Sequence, residues 1–283
     1  MDDAESLPVG RGSQADDCMG TASFPGVGPA DFVTLRLQDS TAVRLIDLAP
    51  EEAAARFARL LATPVRGNDG PVTVAFMNMR NFIAVQKTPE ALGAFAAMDQ
   101  LFPDGVGLQL GRLLAGLPRF SRVSGTDTIP LLLARMPRGT RVFLLGGSRT
   151  LSAAAAARLP ELFPSAVLAG AHHGFFGADE DEAVLAAIVA AAPDVLLIGM
   201  GSPLQEQWLA RHRDRLPARL AICVGGLFHY WTRDLHRAPR SLREAGLEWL
   251  WILAQQPFKW RVYTFDAARF GAILMHRRRA VSS

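Results

Sequence analysis

Three short segments of this sequence hold side chains in an order that can grip a phosphate or move a proton. Residues 199–208 read GMGSPLQEQW. Gly199 and Gly201 leave an apolar run, Ser202 can cap a helix, Pro203 suits its first turn, and Gln205 and Glu206 follow. Glycines permit tight turns, and the amides of a helix N-terminus can face an anion. The segment is also a well-made helix start, with Glu206 completing a cap-like arrangement. That plainer reading leaves the Gln205 amide unused. LLGGS (144–148) ends an apolar run ahead of a helical pattern, so Gly146 and Gly147 are candidate ligand contacts. It matches neither the G-x-G-x-x-G nor the Walker spacing. FPDGVG (102–107) sets Asp104 in a Pro-Asp-Gly turn, where a carboxylate either serves as a base or simply holds the turn. HHG (172–174) brings a metal to mind, but no other His, Cys or acid stands at ligand spacing, which favours a structural strand-end role. Linear order alone shows no Ser-His-Asp arrangement.

Glycines at such positions act only if strands deliver them to one edge. Apolar runs at 72–77, 142–146, 166–170, 194–201 and 220–226 alternate with helical patterns at 89–99, 107–115, 127–136, 149–159, 179–191 and 203–214. Runs that are apolar throughout imply burial on both faces, as in a mostly parallel sheet covered by helices. The expected class is therefore α/β, a Rossmann-like mostly parallel sheet with helices on both faces. Residues 43–48 alternate weakly, and Pro50-Glu51-Glu52 opens a further helix to about Leu61.

The chain has 283 residues, 49% of them hydrophobic and 20% charged, enough to bury a real core. Its two cysteines, Cys18 and Cys223, have no partner spacing, so neither a disulfide scaffold nor a CxxC zinc site is expected. The opening MDDAESLPVG is acidic where a signal peptide is basic, and no run of about 18 apolar residues reads as a membrane span. Charge is unevenly placed. From Arg233 to Ser283 there are ten Arg or Lys against four acids, in a chain of formal net charge +3, so everything earlier is net negative. Four of the five tryptophans fall after residue 230. Helical patterns at 241–255 and 259–278, parted by Pro257, read either as an interfacial amphipathic element or as a docked helical pair with a basic end. The organisation expected is a flexible segment at 1–30, an α/β core at 31–240 and a basic amphipathic appendage at 241–283.

In order, the blocks MN (77–78), FPDGVG, RVSGTD (122–127), FLLGG, HHGFFG, PDVLLIGMGSPLQEQW, VGGLFHYW (224–231), HRAP (236–239) and GLEWLWILAQQPFKWR (246–261) resemble one family. It is the WecG/TagA/CpsF glycosyltransferases, glycosyltransferase family 26, and the resemblance covers about residues 40–265. The resemblance implies inverting transfer of a sugar from a UDP-sugar to a polyprenyl-diphosphate-linked saccharide in bacterial cell-surface polysaccharide synthesis. It implies no cofactor and no metal. The place of action it implies is an anionic membrane surface, the cytoplasmic face of the inner membrane, which the chain meets peripherally. By the same resemblance Asp104 is the general base, with Asn78 and Gln205 beside it as catalytic residues. Arg122, Gly146, Gly147, Gly201, Ser202, Pro203, Glu206, Gly225, Gly226, His229, Arg237 and Arg261 are the implied substrate contacts, the last two reaching a diphosphate when the appendage closes. Nucleic acid is not an expected partner; a homo-oligomer stays open.

The chain departs from the family pattern at several places. His229 stands where the family commonly has Asp, Phe76 where a Thr is usual, and Ile252 and Lys259 where arginines are usual. These changes keep a second reading open: a non-catalytic, UDP-binding, membrane-associated assembly factor of the same fold. A nucleotide-dependent oxidoreductase is disfavoured, because no G-x-G-x-x-G follows the first strand.

Overall fold

The computed structural model describes residues 32–36, 42–63, 70–114 and 123–281; the 1–30 segment, Cys18 and Arg122 lie outside them. The wholly apolar runs form strands, and in the inner ones both faces are covered; the run at 166–170 lies at the sheet edge, where Val167 and Leu168 are exposed. Within the inner strands, alternate side chains enter opposite cores. Val74, Val142, Leu144 and Leu197 point to one, while Ala75, Phe143, Leu145 and Leu196 point to the other.

The first described elements are an antiparallel pair, β1 (Phe32–Arg36) and β2 (Ala42–Ile46), and β2 packs beside the edge of the main sheet. That sheet holds six strands: β3 (Val72–Met77), β4 (Gln100–Pro103), β5 (Thr140–Gly146), β6 (Ala166–His172), β7 (Val195–Gly199) and β8 (Leu220–Cys223). They lie in the order β4-β3-β8-β7-β5-β6, and all five pairings are parallel. The expected α/β class is the observed one. Strand β4 has no counterpart among the predicted runs. Only four residues long, it follows a helical pattern read through to residue 99 that ends at Ala96.

Helices α1 (Pro50–Ala62), α5 (Gly125–Arg135), α6 (Arg149–Leu162) and α9 (Leu227–Trp231) line one core. The other is lined by α2 (Met79–Val85), α3 (Pro89–Ala96), α4 (Val106–Leu114), α7 (Ala178–Ala191) and α8 (Leu204–His212). Helix α6, crossing toward β6, passes over the first face, and α2, α3, α7 and α8, crossing toward β4, over the second. The long β4–β5 connection starts with α4 on the second face and crosses on the first with α5. A single hand of parallel crossover requires this division. β5 leaves toward β6 while β7 leaves toward β8, so outgoing chains part between β5 and β7. Such a parting opens a crevice at the carboxyl ends of the strands.

The opposite edge is tied by carboxylates. Asp99 accepts from the backbone and hydroxyl of Thr73 and pairs with Arg213, and Asp194 accepts from the Arg141 amide. Beyond the sheet come α10 (Arg240–Glu244), α11 (Glu248–Gln255), a 3₁₀ turn at Pro257–Lys259 and α12 (Trp260–Val281). The helix expected over 241–255 is broken by Gly246, whose φ of +75° ends α10. α12 is docked through Phe270, buried edge-on against Phe82 of α2 at 5.6 Å between ring centroids.

Candidate active site

The parallel order brings most of the singled-out residues to one edge of the sheet. Asp104 follows β4, Asn78 follows β3, Gly225 and Gly226 follow β8, Gly201 and Ser202 follow β7, and Gly147 follows β5. With neighbouring strands about 4.8 Å apart, Asp104 lies about 10 Å from the β8 end and about 19 Å from the β5 end. A carboxylate thus stands at one side of an edge whose other side is lined by glycine.

That glycine lining follows from backbone crowding. Gly146 has φ +146°, and a Cβ there would lie 2.4 Å from the Gly199 carbonyl. A Cβ on Gly199 would in turn meet the Gly225 carbonyl oxygen at 2.8 Å. The ends of β5, β7 and β8 can approach this closely only without side chains. Gly147 donates to the Gly199 carbonyl and accepts from Gly174, which carries the seam on to the end of β6. Helix α6 begins at this point, with the Ser148 hydroxyl accepting from the Leu151 amide at 3.1 Å. His173 is buried here against His172, with ring centroids 4.3 Å apart. Among the described residues no group of three or more His, Cys, Asp or Glu side chains is arranged to hold a metal ion.

The start of α8 differs from its sequence reading. Ser202 does not cap the helix. Its hydroxyl donates instead to Glu206 Oε2 at 2.7 Å, because a buried carboxylate draws every nearby donor, and α8 starts at Leu204 after Pro203 without a side-chain cap. Glu206 is fully buried. Its other oxygen accepts from Gln205 Nε2 at 2.8 Å, and Gln205 Oε1 accepts from the Gly225 amide at 3.1 Å. Burial raises the Glu206 carboxyl above the usual range, against the lowering effect of the hydrogen bonds from Gln205 and Ser202. It also raises the neighbouring Cys223 thiol, which keeps that sulfur protonated.

Asn78 and Asp104 leave adjacent strands at the same level, since Met77 and Pro103 are register partners. The Asp104 amide donates to the Met77 carbonyl at 2.7 Å, which ties the turn to β3 whatever the side chain does. Asn78 caps α2, its Oδ1 accepting from the Asn81 amide at 3.0 Å, so its NH₂ faces away from the helix. Phe76, two residues before, fills space between Phe102 and Gly125, so the aromatic ring serves packing.

His229 is not a core histidine; its side chain is 43% exposed. Asp234 Oδ2 lies 3.4 Å from its Nδ1 and also accepts from the Thr232 hydroxyl at 2.9 Å. Arg233, at φ +66°, turns the chain back to place that carboxylate. Arg237 is committed internally: it pairs with Asp127 at 2.6 Å and with Glu248 at 3.4 Å, and Arg243 shares the same Asp127 oxygen at 3.1 Å. Arg261 is exposed, its guanidinium 5.5 Å from the centroid of the Trp260 ring. The edge therefore gathers Asp104, Asn78, Gln205, Glu206, His229 and the glycines, while the Arg237 guanidinium is engaged by Asp127 and Glu248 and that of Arg261 lies against Trp260.

The model of the "Glycosyl transferase WecG/TagA/CpsF family" matches residues 40–282. The chain belongs to this glycosyltransferase family. A similar protein is the N-acetylglucosaminyldiphosphoundecaprenol N-acetyl-beta-D-mannosaminyltransferase of Bacillus spizizenii. It is 27% identical over 237 residues, which cover 83% of this chain and 91% of the relative.

For a member of the WecG/TagA/CpsF family, the sequence reading missed Asp127 and Asp234. Asp127 stands in the quoted RVSGTD block, three residues after the cap Ser124, and its local signal is only that of a helix start. Its partners lie more than 100 residues away and leave no trace in spacing. Asp234 is visible only as the acid following Arg233, whose left-handed turn no residue type announces.

Proposed function

We propose that this glycosyltransferase moves a sugar, with inversion, from a UDP-sugar to a polyprenyl-diphosphate-linked saccharide at the cytoplasmic membrane face, without a metal ion. The observation that carries the reading is the pairing of Asp104 and Asn78 at the β3–β4 end, across a glycine-lined crevice from β8, β7 and β5. The named activity of the Bacillus relative supports the acceptor class.

In this reading the nucleotide lies over the glycine seam and its sugar reaches toward Asp104. The carboxylate takes the proton of the acceptor hydroxyl as that oxygen attacks the anomeric carbon. The bond from the anomeric carbon to the diphosphate breaks on the opposite face, and UDP leaves with its charge. The N-terminus of α6 and arginines, with Arg122, Arg237 and Arg261 as the candidates, stabilise that charge without a divalent ion. The Asn78 NH₂, held outward by its cap bond, donates to substrate oxygen.

His229 borders the Gly225–Gly226 turn and takes the nucleotide. Calorimetry with UDP and a thermal melt test this together. His229→Ala weakens UDP binding about tenfold, the worth of one hydrogen bond, and leaves Tm nearly unchanged because the ring is half exposed. A fall in Tm with unaltered UDP affinity would instead assign the imidazole to the scaffold.

A further inference from the structure

We infer that Glu206 is a positioning residue, which sets the amide of Gln205 and through it the Gly225 end of β8, and does not touch substrate. Its effect on activity rests on the UDP-sugar reading above; its effect on Gly225 does not.

The argument runs on donors and acceptors. Glu206 is fully buried in the first turn of α8, beyond the reach of a ligand. As a carboxylate it only accepts, so Gln205 must turn its NH₂ toward it, at 2.8 Å. The carbonyl oxygen of the same amide then has to point the other way, where it accepts from the Gly225 amide at 3.1 Å. Turned round, Gln205 would set its NH₂ against a backbone N–H and its oxygen against a carboxylate, leaving two buried mismatches. Ser202, at 2.7 Å, holds the second carboxylate oxygen and ties in the β7 turn.

The site needs such a brace. The β7–β8 ladder ends with the Val224 amide on the Ile198 carbonyl, and beyond it a Cβ on Gly199 would come within 2.8 Å of the Gly225 oxygen, so no side chain can pack there to hold the two ends. Hydrogen bonds must do it. The Gly225–Gly226 turn leads directly into α9 and His229, so an error at Gly225 is passed to the nucleotide seat.

What the brace requires at Oε1 is an acceptor. A neutral acid, or the amide of a glutamine, still accepts from Gln205 there while Ser202 rotates to accept on the other side. Methionine keeps the volume and removes the acceptor.

Full-length wild type, E206M, E206Q, Q205A and the E206M/Q205A double variant are compared by hydrogen exchange at the Gly225 amide, by UDP calorimetry and by kcat/KM. E206M and Q205A each speed Gly225 exchange at least about tenfold and lower UDP affinity and kcat/KM about ten- to a hundredfold. The double variant is no worse than either single one, and E206Q recovers most of the loss in E206M. The inference is overturned if Gly225 exchange in E206M equals wild type, or if the two single effects multiply, or if E206Q is as damaging as E206M. Should E206M fail to fold, the exchange rates of E206Q and Q205A still decide. If Gly225 responds as expected and wild type binds no UDP, the brace stands and the nucleotide reading falls.

Discussion

Asp104→Asn lowers kcat by about 10²–10⁴-fold and leaves UDP affinity and Tm at their wild-type values. The size follows from the loss of a general base. The selectivity follows from how the turn is held. The turn has a backbone tie, from the Asp104 amide to the Met77 carbonyl at 2.7 Å, and Gly105 supplies the left-handed residue at φ +82°. Asparagine satisfies both. It differs from aspartate in proton affinity and in having one acceptor oxygen instead of two. Asn78, one strand away, keeps its orientation because its cap bond to Asn81 does not involve Asp104. A variant that turns over its true acceptor at the wild-type rate would remove Asp104 from the role of base, and the β3–β4 end would then be only a well-tied turn.

Removing residues 241–283 abolishes both sugar transfer and binding to anionic liposomes. Phe258 is 70% exposed, Phe265 60% and Trp260 52%, in a region with six basic residues more than acids from Arg233 onward. Among the described residues no helix is long and apolar enough to cross a membrane, so these rings are proposed to enter the headgroup region. Each basic side chain near an anionic surface contributes about 1 kcal/mol, fading beyond a Debye length of about 10 Å at 0.1 M salt. Binding is thus reversible and salt-sensitive. The truncated chain also loses Phe270 from its seat on Phe82, a change worth about 3–5 kcal/mol, so its Tm falls although the sheet stays folded. Replacing Phe258, Trp260 and Phe265 with serine separates the two effects, since all three are exposed. That variant loses liposome binding, keeps Tm, and still transfers to a short water-soluble acceptor. Full transfer by the truncated chain would show that the appendage takes no part in the site. Liposome binding that survives the serine triplet would place membrane contact elsewhere.

The sheet, apart from β4, was legible because its strands read as apolar on both faces, the pattern of a covered parallel sheet, although the edge strand β6 leaves Val167 and Leu168 exposed. The crevice was half legible. Gly146, Gly147, Gly199 and Gly201 stand out at the ends of apolar runs, but nothing in their spacing shows that three backbones crowd together there. Ser202 looked like a cap because serine before Pro-Leu-Gln-Glu usually is one. The buried Glu206 carboxylate claims its hydroxyl instead, and burial is a property of the fold. Arg237 was read as a candidate to bind a diphosphate when the appendage closes. Its partner Asp127 sits 110 positions earlier, so the pairing has no local signature. If a diphosphate does reach Arg237, it has to displace Asp127 or share the guanidinium with it.

The most direct test of the account is product analysis by mass spectrometry. The intact protein is incubated with a polyprenyl-diphosphate-linked saccharide and a panel of UDP-sugars, in the presence of EDTA. The account predicts one acceptor product heavier by a single sugar, formed from one UDP-sugar of the panel, with UDP released in equal amount and no product from Asp104→Asn on the same time scale. UDP that binds without any sugar reaching the acceptor would contradict it, and so would transfer that EDTA stops and Mg²⁺ or Mn²⁺ restores.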